Sequence, residues 1–502
     1  MSPVLVFSVI VVYFSALIFI SYLTSKKSNT ETFFTGNNQS PWYLVAFGMI
    51  GTSISGVTFI SIPGEVGNSG FTYFQMVIGY LLGYYVIANV LMPIYYRLKL
   101  VSIYTYLEQR FGNYSYKTGA IFFIISRVIG AGIRLFLAAT VLQLAFFDKV
   151  GIPFEITVLV TIMLIWVYTY KAGVKTIVWT DSFQSIFLIT ALIVSIYLVG
   201  KEMNTTFFGI LEKVSDCEYT RIFDWNWHSD RFFFKQFFSG AFIAIVMTGL
   251  DQDLMQKNLT CRNLNEAKKN MFWFTITLIP VNLLFLSLGA ILYTFYTSTG
   301  LSFTGTDVFH YSVEAAKYLN TDKLYPELAI NHFGALAGIT FLLGIIAATF
   351  ASSDSALTAL TTSFTVDILG VDVRKDSKVT KKKKLLVHLG FSFVLFLVIL
   401  VFKWINDKSV INAVFTIAGY TYGPLLGLYS FGLFTKRKVK DKIIPFIAIL
   451  SPCISFLISS FSHQLLFGYK FGFEILLLNG LLMYIGMLLV SYKNPNPSGK
   501  VI

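Results

Sequence analysis

Charge is what this sequence has least of. Asp, Glu, Lys and Arg make up 13% of its 502 residues, about half the share of a soluble protein. A chain of this length folded in water would divide into domains with charged surfaces, and the composition excludes that. Cysteine is nearly absent. Cys217, Cys261 and Cys453 stand far apart and no C-x-x-C occurs, so neither a disulfide framework nor a cysteine zinc site is signalled. There are five histidines, and H-E-x-x-H, the P-loop and G-x-S-x-G are all missing, which leaves common hydrolytic and nucleotide chemistries without their residues. His228, His310, His332 and His463 fall in expected outer loops or span ends, and His388, alone in an apolar run, reads as packed. The expectation is therefore not an enzyme.

What is present is apolar: 55% hydrophobic and 17% aromatic residues, with a mean hydropathy of +0.68. Thirteen continuous runs reach or approach the roughly 20 residues that cross a bilayer as helix. Their limits are 3–23, 42–62, 73–96, 118–146, 153–170, 176–200, 232–256, 271–297, 331–364, 384–402, 409–432, 443–462 and 472–491. The alternating short segments of a membrane barrel do not occur. The predicted fold class is thus an all-α polytopic membrane protein of about 13 transmembrane helices. The first run lacks a basic lead-in and a cleavage site, so it is expected to be retained. Short tails and modest loops predict one transmembrane domain over 1–502 with no attached signalling domain.

The net charge is +13. Loops numbered alternately from an outside N-terminus place most Lys and Arg on one side. These include Lys26, Lys27, Arg97, Lys99, Arg110, Lys117, Lys171, Lys175, Lys257, Arg262, Lys268, Lys269, Arg374, Lys375, Lys378, Lys381 to Lys384, Lys436 to Lys442, Lys493 and Lys500. The positive-inside rule then predicts an outside N-terminus and a cytoplasmic C-terminus, with no need for nucleic acid. The 381–384 run reads as an anchor in contact with anionic lipid headgroups. Short tails suggest a bacterial plasma membrane; oligomeric state is not encoded.

Two spans carry breaks. In the second, Gly51-Thr52-Ser53-Ile54-Ser55-Gly56 sits at bilayer depth, followed by Pro63 and Gly64. Small residues there serve close helix packing, or they mark an unwound segment whose carbonyls hold an ion. The seventh span has Gly240 and Thr248-Gly249-Leu250-Asp251-Gln252-Asp253; the two aspartates read as solvated caps pairing with Lys257. The breaks are five spans apart. That spacing predicts a 5+5 inverted repeat: an extra helix at 3–23, repeats over 42–200 and 232–432, and two more helices over 443–491.

At these residues the sequence resembles the sodium/solute symporters, whose members carry sugars, proline, iodide, vitamins or sialic acid. Four stretches carry the likeness: Gly51–Gly56 with Phe59; Ala172-Gly173-Val174-Lys175-Thr176-Ile177-Val178-Trp179-Thr180-Asp181-Ser182-Phe183-Gln184; Asp251–Lys257; and Ala348-Thr349-Phe350-Ala351-Ser352-Ser353-Asp354-Ser355 with Phe364-Thr365-Val366-Asp367. The resemblance implies the leucine-transporter fold and Na+ coupling. It implies a sodium site of the Gly51 and Ile54 carbonyls, the Thr349 carbonyl and the Ser352 and Ser353 hydroxyls; a one-residue slip would make Ala348 the carbonyl donor and Ser352 the main hydroxyl. Thr349, Ser352 and Ser353 share a helix face at i, i+3 and i+4, which ordinary packing would also explain. Asp181 with Ser352 and Ser355 would form a second sodium site; alternatively Asp181 is a hydrogen-bonded structural carboxylate. Sugar-carrying members place an acid–amide pair where this chain has Val57-Thr58, and the Trp179-Thr180-Asp181 wording is closer to the iodide and vitamin branch.

Arg134 lies deep in the fourth span, seven residues after Arg127 and on the same face. An arginine there needs a partner or a wet cavity. Its planar donors suit a substrate carboxylate, as in sialic-acid-carrying relatives; pairing with Asp181 or snorkelling are the structural alternatives. Ser53, Thr58 and Arg134 form the candidate solute set. The reading is a sodium-coupled symporter of a small solute, leaning to an organic anion; the alternatives are a neutral solute such as a sugar or amino acid, or an ion channel.

Overall fold

In lipid every backbone N–H and C=O must be satisfied within the chain, so the apolar runs form helices. The computed structural model describes residues 3–26, 30–169, 173–215, 217–299, 321–372, 377–405, 410–466 and 469–493. Lys27, Lys171, Ala172, His310, Arg374, Lys375 and Lys500 from the sequence argument lie outside them.

The main helices are α1 (Pro3–Ser25), α2 (Trp42–Ser53), α3 (Gly56–Ser69), α4 (Tyr73–Val86), α5 (Asn113–Leu142), α6 (Phe154–Thr169), α7 (Gly173–Glu202), α8 (Phe233–Ala244), α9 (Gln252–Asn258), α10 (Leu264–Thr299), α11 (Gly334–Ser363), α12 (Lys378–Ile405), α13 (Val410–Thr421), α14 (Gly423–Phe434), α15 (Ile444–Ser460) and α16 (Ile475–Leu489). A two-residue antiparallel pairing of Lys438–Val439 with Ser491–Tyr492 is the strand content among the described residues. The protein is an all-α polytopic membrane protein. Among the described residues, eight helices are long and apolar enough to cross a membrane, or nine if the bent α8–α9 pair is one span; α2, α6, α14 and α16 are shorter apolar helices.

Both expected breaks are present. Between α2 and α3 the chain unwinds at Ile54 (φ −85°, ψ 80°) and Ser55 (φ −74°, ψ 173°). The expected limit at residue 62 falls short, because α3 runs through Pro63 to Ser69. Between α8 and α9 a π turn at Ile245–Gly249 leads into an extended Asp251, and the two helices bend by 69°. A further interruption splits the expected 409–432 span at Tyr422, ahead of Gly423-Pro424.

The packing is consistent with an inverted repeat. Helix α4, which follows the first break, packs on α8 of the second; α10, which follows the second break, packs on α2 and α3. The α4–α8 crossing is close because it is glycine on both sides. A Cβ on Gly79 would stand 2.0 Å from the Phe237 carbonyl oxygen, and one on Gly240 would stand 2.1 Å from that of Met76. Helices α7 and α11 pack on each other and both contact α2, which sets the first break against them.

Candidate ion and solute sites

Helix α2 ends in the interior, so its last carbonyls lack intrahelical partners. Gly51 sits in that last turn. Its N–H donates to Ser185 Oγ at 2.9 Å, and an added Cβ would lie 2.5 Å from that oxygen and 3.5 Å from Ala351 Cβ. Only glycine lets the last turn of α2 come so near α7. At Gly56 a Cβ would lie 2.1 Å from Thr349 Oγ1. The structure thus brings Thr349 of α11 against the break. The Ser352 and Ser353 hydroxyls both donate to the Thr349 carbonyl, at 2.9 and 2.7 Å, and all three residues are buried. Thr349 Oγ1 is buried without a hydrogen-bond partner. Neutral oxygens converging at an unwound helix are the donor type a sodium ion takes in transporters.

No hydrogen bond joins Asp181 to Ser355. Fully buried Asp181 forms a salt bridge with Lys257, and its Oδ2 also accepts from Thr52 Oγ1 at 2.9 Å. Ser355 donates instead to Asp253 Oδ1. Of the expected Asp181–Ser355 pair, Asp181 Oδ2 and Ser355 Oγ each have another hydrogen-bond partner, and Asp181 Oδ1 has none. The solvated reading of Asp251 and Asp253 fails. Asp251 does cap α9, accepting from the Asp253 N–H at 2.8 Å, but the two residues are 0% and 2% exposed. They pair with Arg127: Asp253 directly, Asp251 at 3.8 Å. Tyr422 donates to Asp251 Oδ2 at 2.5 Å. Opposite charges buried this deep persist because each compensates the other's lost hydration.

Arg134 is different. Asp181 is not its partner, it has no salt bridge among the described residues, and its Nε is buried without a hydrogen bond. It faces a cavity of about 100 Å³ whose lining includes Ser53, Thr58, Arg127, Tyr73, Tyr84 and Asn282. All three candidate solute residues line this one space, and among the described residues no Asp or Glu does. Helix α3 begins at its wall, so free N–H groups and the positive end of the helix dipole also face it. A second cavity lined by Glu65, Asp230, Arg231 and Phe473 shares Tyr73, Ile411 and Phe415 with the first, which places the two in series. His388 is packed as expected, between the Thr169 and Thr361 hydroxyls at 3.1 and 3.0 Å.

Sequence reasoning gave no role to Asp354, which is fully buried in α11, or to the cavity tyrosines. It placed Lys257 in a cytoplasmic loop, although its side chain is 2% exposed. An acid inside the apolar 331–364 run was the available signal for Asp354.

Two discontinuous helices meeting at a buried cavity, within a bundle of long apolar helices, define a secondary transporter. The chain matches the sodium:solute symporter family over residues 33–441 and belongs to that family. It is accordingly a sodium-coupled secondary transporter of a small solute and not an enzyme. It is 24% identical to a sodium/sialic acid symporter of Aliivibrio fischeri, covering 83% of this chain and 80% of that protein. It is also 24% identical to the human sodium/iodide cotransporter, over 81% of this chain and 61% of the longer human protein. A sodium/sialic acid symporter of Proteus mirabilis is again 24% identical, over 89% and 88%. The fold is that of a substrate-bound, outward-open sodium-coupled sialic acid symporter, with a TM-score of 0.80 at 18% identity over 96% of this chain and 97% of the other. A transporter of the nucleobase-cation-symport-1 family superposes less closely, with a TM-score of 0.54 at 15% identity over 91% and 94%.

Proposed function

We propose that the protein imports a small organic anion together with sodium by alternating access. The observation that carries the anion reading is a cavity with two arginines and, among the described residues, no acid in its lining, where Arg127 is already held by Asp253 and Arg134 is not. A carboxylate on the solute would pair with Arg134, near the start of α3. The lack of an acid to meet an ammonium, and Val57-Thr58 in place of an acid–amide pair, weigh against amino acids and sugars.

In this reading the coupling ion binds the carbonyls of Gly51, Ile54 and Thr349 and the hydroxyls of Ser352 and Ser353. The thirteen apolar segments form thirteen crossings in a 5+5 inverted repeat, with repeats over 42–200 and 232–432, the extra helix at 3–23 and two more over 443–491. The N-terminus lies outside and the C-terminus in the cytoplasm of a bacterial plasma membrane. The serial cavities then open to the outside.

The test is uptake into proteoliposomes under an inward sodium gradient, with monocarboxylates, sialic acids, halides, amino acids and sugars compared. Carboxylates should accumulate and collapse of the sodium gradient should stop them; accumulation of sugars or amino acids alone would overturn the anion reading. At the ion site, Ser352→Ala and Ser353→Ala should each raise the sodium concentration for half-maximal uptake about tenfold, the effect of losing roughly 1.4 kcal/mol of ligation. Unchanged sodium dependence in both variants would remove these residues from the site.

A further inference from the structure

Lys257 is among the largest fully buried side chains of the protein. Its ammonium donates to Asp181 Oδ2 on α7 and to Thr52 Oγ1 in the last turn of α2. It therefore links both discontinuous helices, since it projects from α9. Asp354 of α11, 0% exposed, lies within electrostatic reach of both Asp181 and Lys257. The Tyr168 hydroxyl, both Asp354 carboxylate oxygens and Asp181 Oδ1 are buried without a hydrogen-bond partner.

Two buried carboxylates and a threonine hydroxyl are hard oxygen donors of the kind a sodium ion takes. A cation covalently attached to the protein already sits among them. We propose that Lys257 is a resident counter-ion at Asp181 and Asp354 that takes the place of a second sodium, so that this transporter carries one sodium per solute. The inference rests on the sodium-coupled reading above and extends it to stoichiometry. An ammonium and a sodium ion cannot share one small site in a poorly screened interior, because like charges at contact repel strongly there. Thr52 is the chain neighbour of Gly51, so the tethered cation is anchored at the end of α2 and balances one of the two acid charges without being transported.

Equilibrium binding of radioactive sodium to the purified full-length protein tests this without knowing the solute. The wild type should bind about one ion per chain, and Lys257→Ala about two, with the Hill coefficient rising accordingly. Lys257→Arg keeps the charge and should stay at about one. Asp181→Asn combined with Lys257→Met removes an acid together with its counter-ion and should also stay at about one. If Lys257→Ala does not fold, Lys257→Met makes the same neutral replacement with the aliphatic stem kept and should bind about two. Two ions in the wild type, or one ion in folded Lys257→Ala or Lys257→Met, would overturn the proposal. A wild type that binds no sodium would overturn the sodium site itself, and the resident-cation inference with it.

Discussion

Arg134→Ala should weaken sodium-driven uptake of a carboxylate solute by roughly 30-fold to several thousand-fold in apparent affinity, the range for truncating one side of a buried charge pair. The cause is local. Arg134 lines the cavity beside Thr58 and has no salt bridge to a side chain among the described residues, so a bound carboxylate would be its counter-charge. Arg134→Lys should fall between, because a lysine keeps the charge and loses the two-pronged donor geometry. Sodium binding should be unchanged in both, since the proposed ion ligands lie on α2, its break and α11. Normal carboxylate transport by whatever Arg134→Ala protein folds would make the arginine a packing residue and remove the main support for an anionic solute.

The second large effect is on stability. Asp253→Ala should cost about 3–5 kcal/mol, the usual penalty for leaving a buried charge without its partner. Arg127 is 4% exposed, and its remaining acid, Asp251, stands at 3.8 Å. Ser355 would lose the acceptor for its hydroxyl as well. The drop should appear as a lower Tm in detergent and a smaller monodisperse fraction. Arg127→Met with Asp253→Leu should recover only part of the loss, because the buried Asp251 carboxylate, still held by Tyr422, then loses its arginine. A single Asp253→Ala variant as stable as the wild type would mean that Asp251 and Tyr422 suffice to hold Arg127 in place.

These pairings mark the limit of what the sequence discloses. Apolar runs announce helices because bilayer thickness sets their length, and Gly51–Gly56 and Thr248–Asp253 announce breaks because small polar residues are out of place at that depth. The cavity residues Ser53, Thr58 and Arg134 could be named for the same reason: each is polar in an apolar setting. Which buried charge meets which could not be named. Asp181 and Lys257 are 76 residues apart, and no periodicity relates them. Counting Lys257 as a loop charge was consistent with the positive-inside rule, but that count cannot distinguish a lysine in water from one folded back under a helix. Asp253 was misread for the same reason, its nearest cation in sequence being Lys257 while its partner in space is Arg127.

The two hydroxyls that share the Thr349 carbonyl bear on the step in which the carrier comes back unloaded. A symporter must reorient empty once per cycle, and a site left with a bare carboxylate would have to carry an unpaired charge through a dry interior. The oxygens around Thr349 are neutral, and two of the hydroxyls close on the carbonyl by themselves. The nearby acid, Asp181, keeps Lys257. The ion-free protein therefore has no uncompensated charge from Asp181 or the Thr349 group to drag through closure. At the proposed ion site, reloading with sodium would give up a pair of internal hydrogen bonds, a cost of about 1 kcal/mol each, which would favour release on the far side.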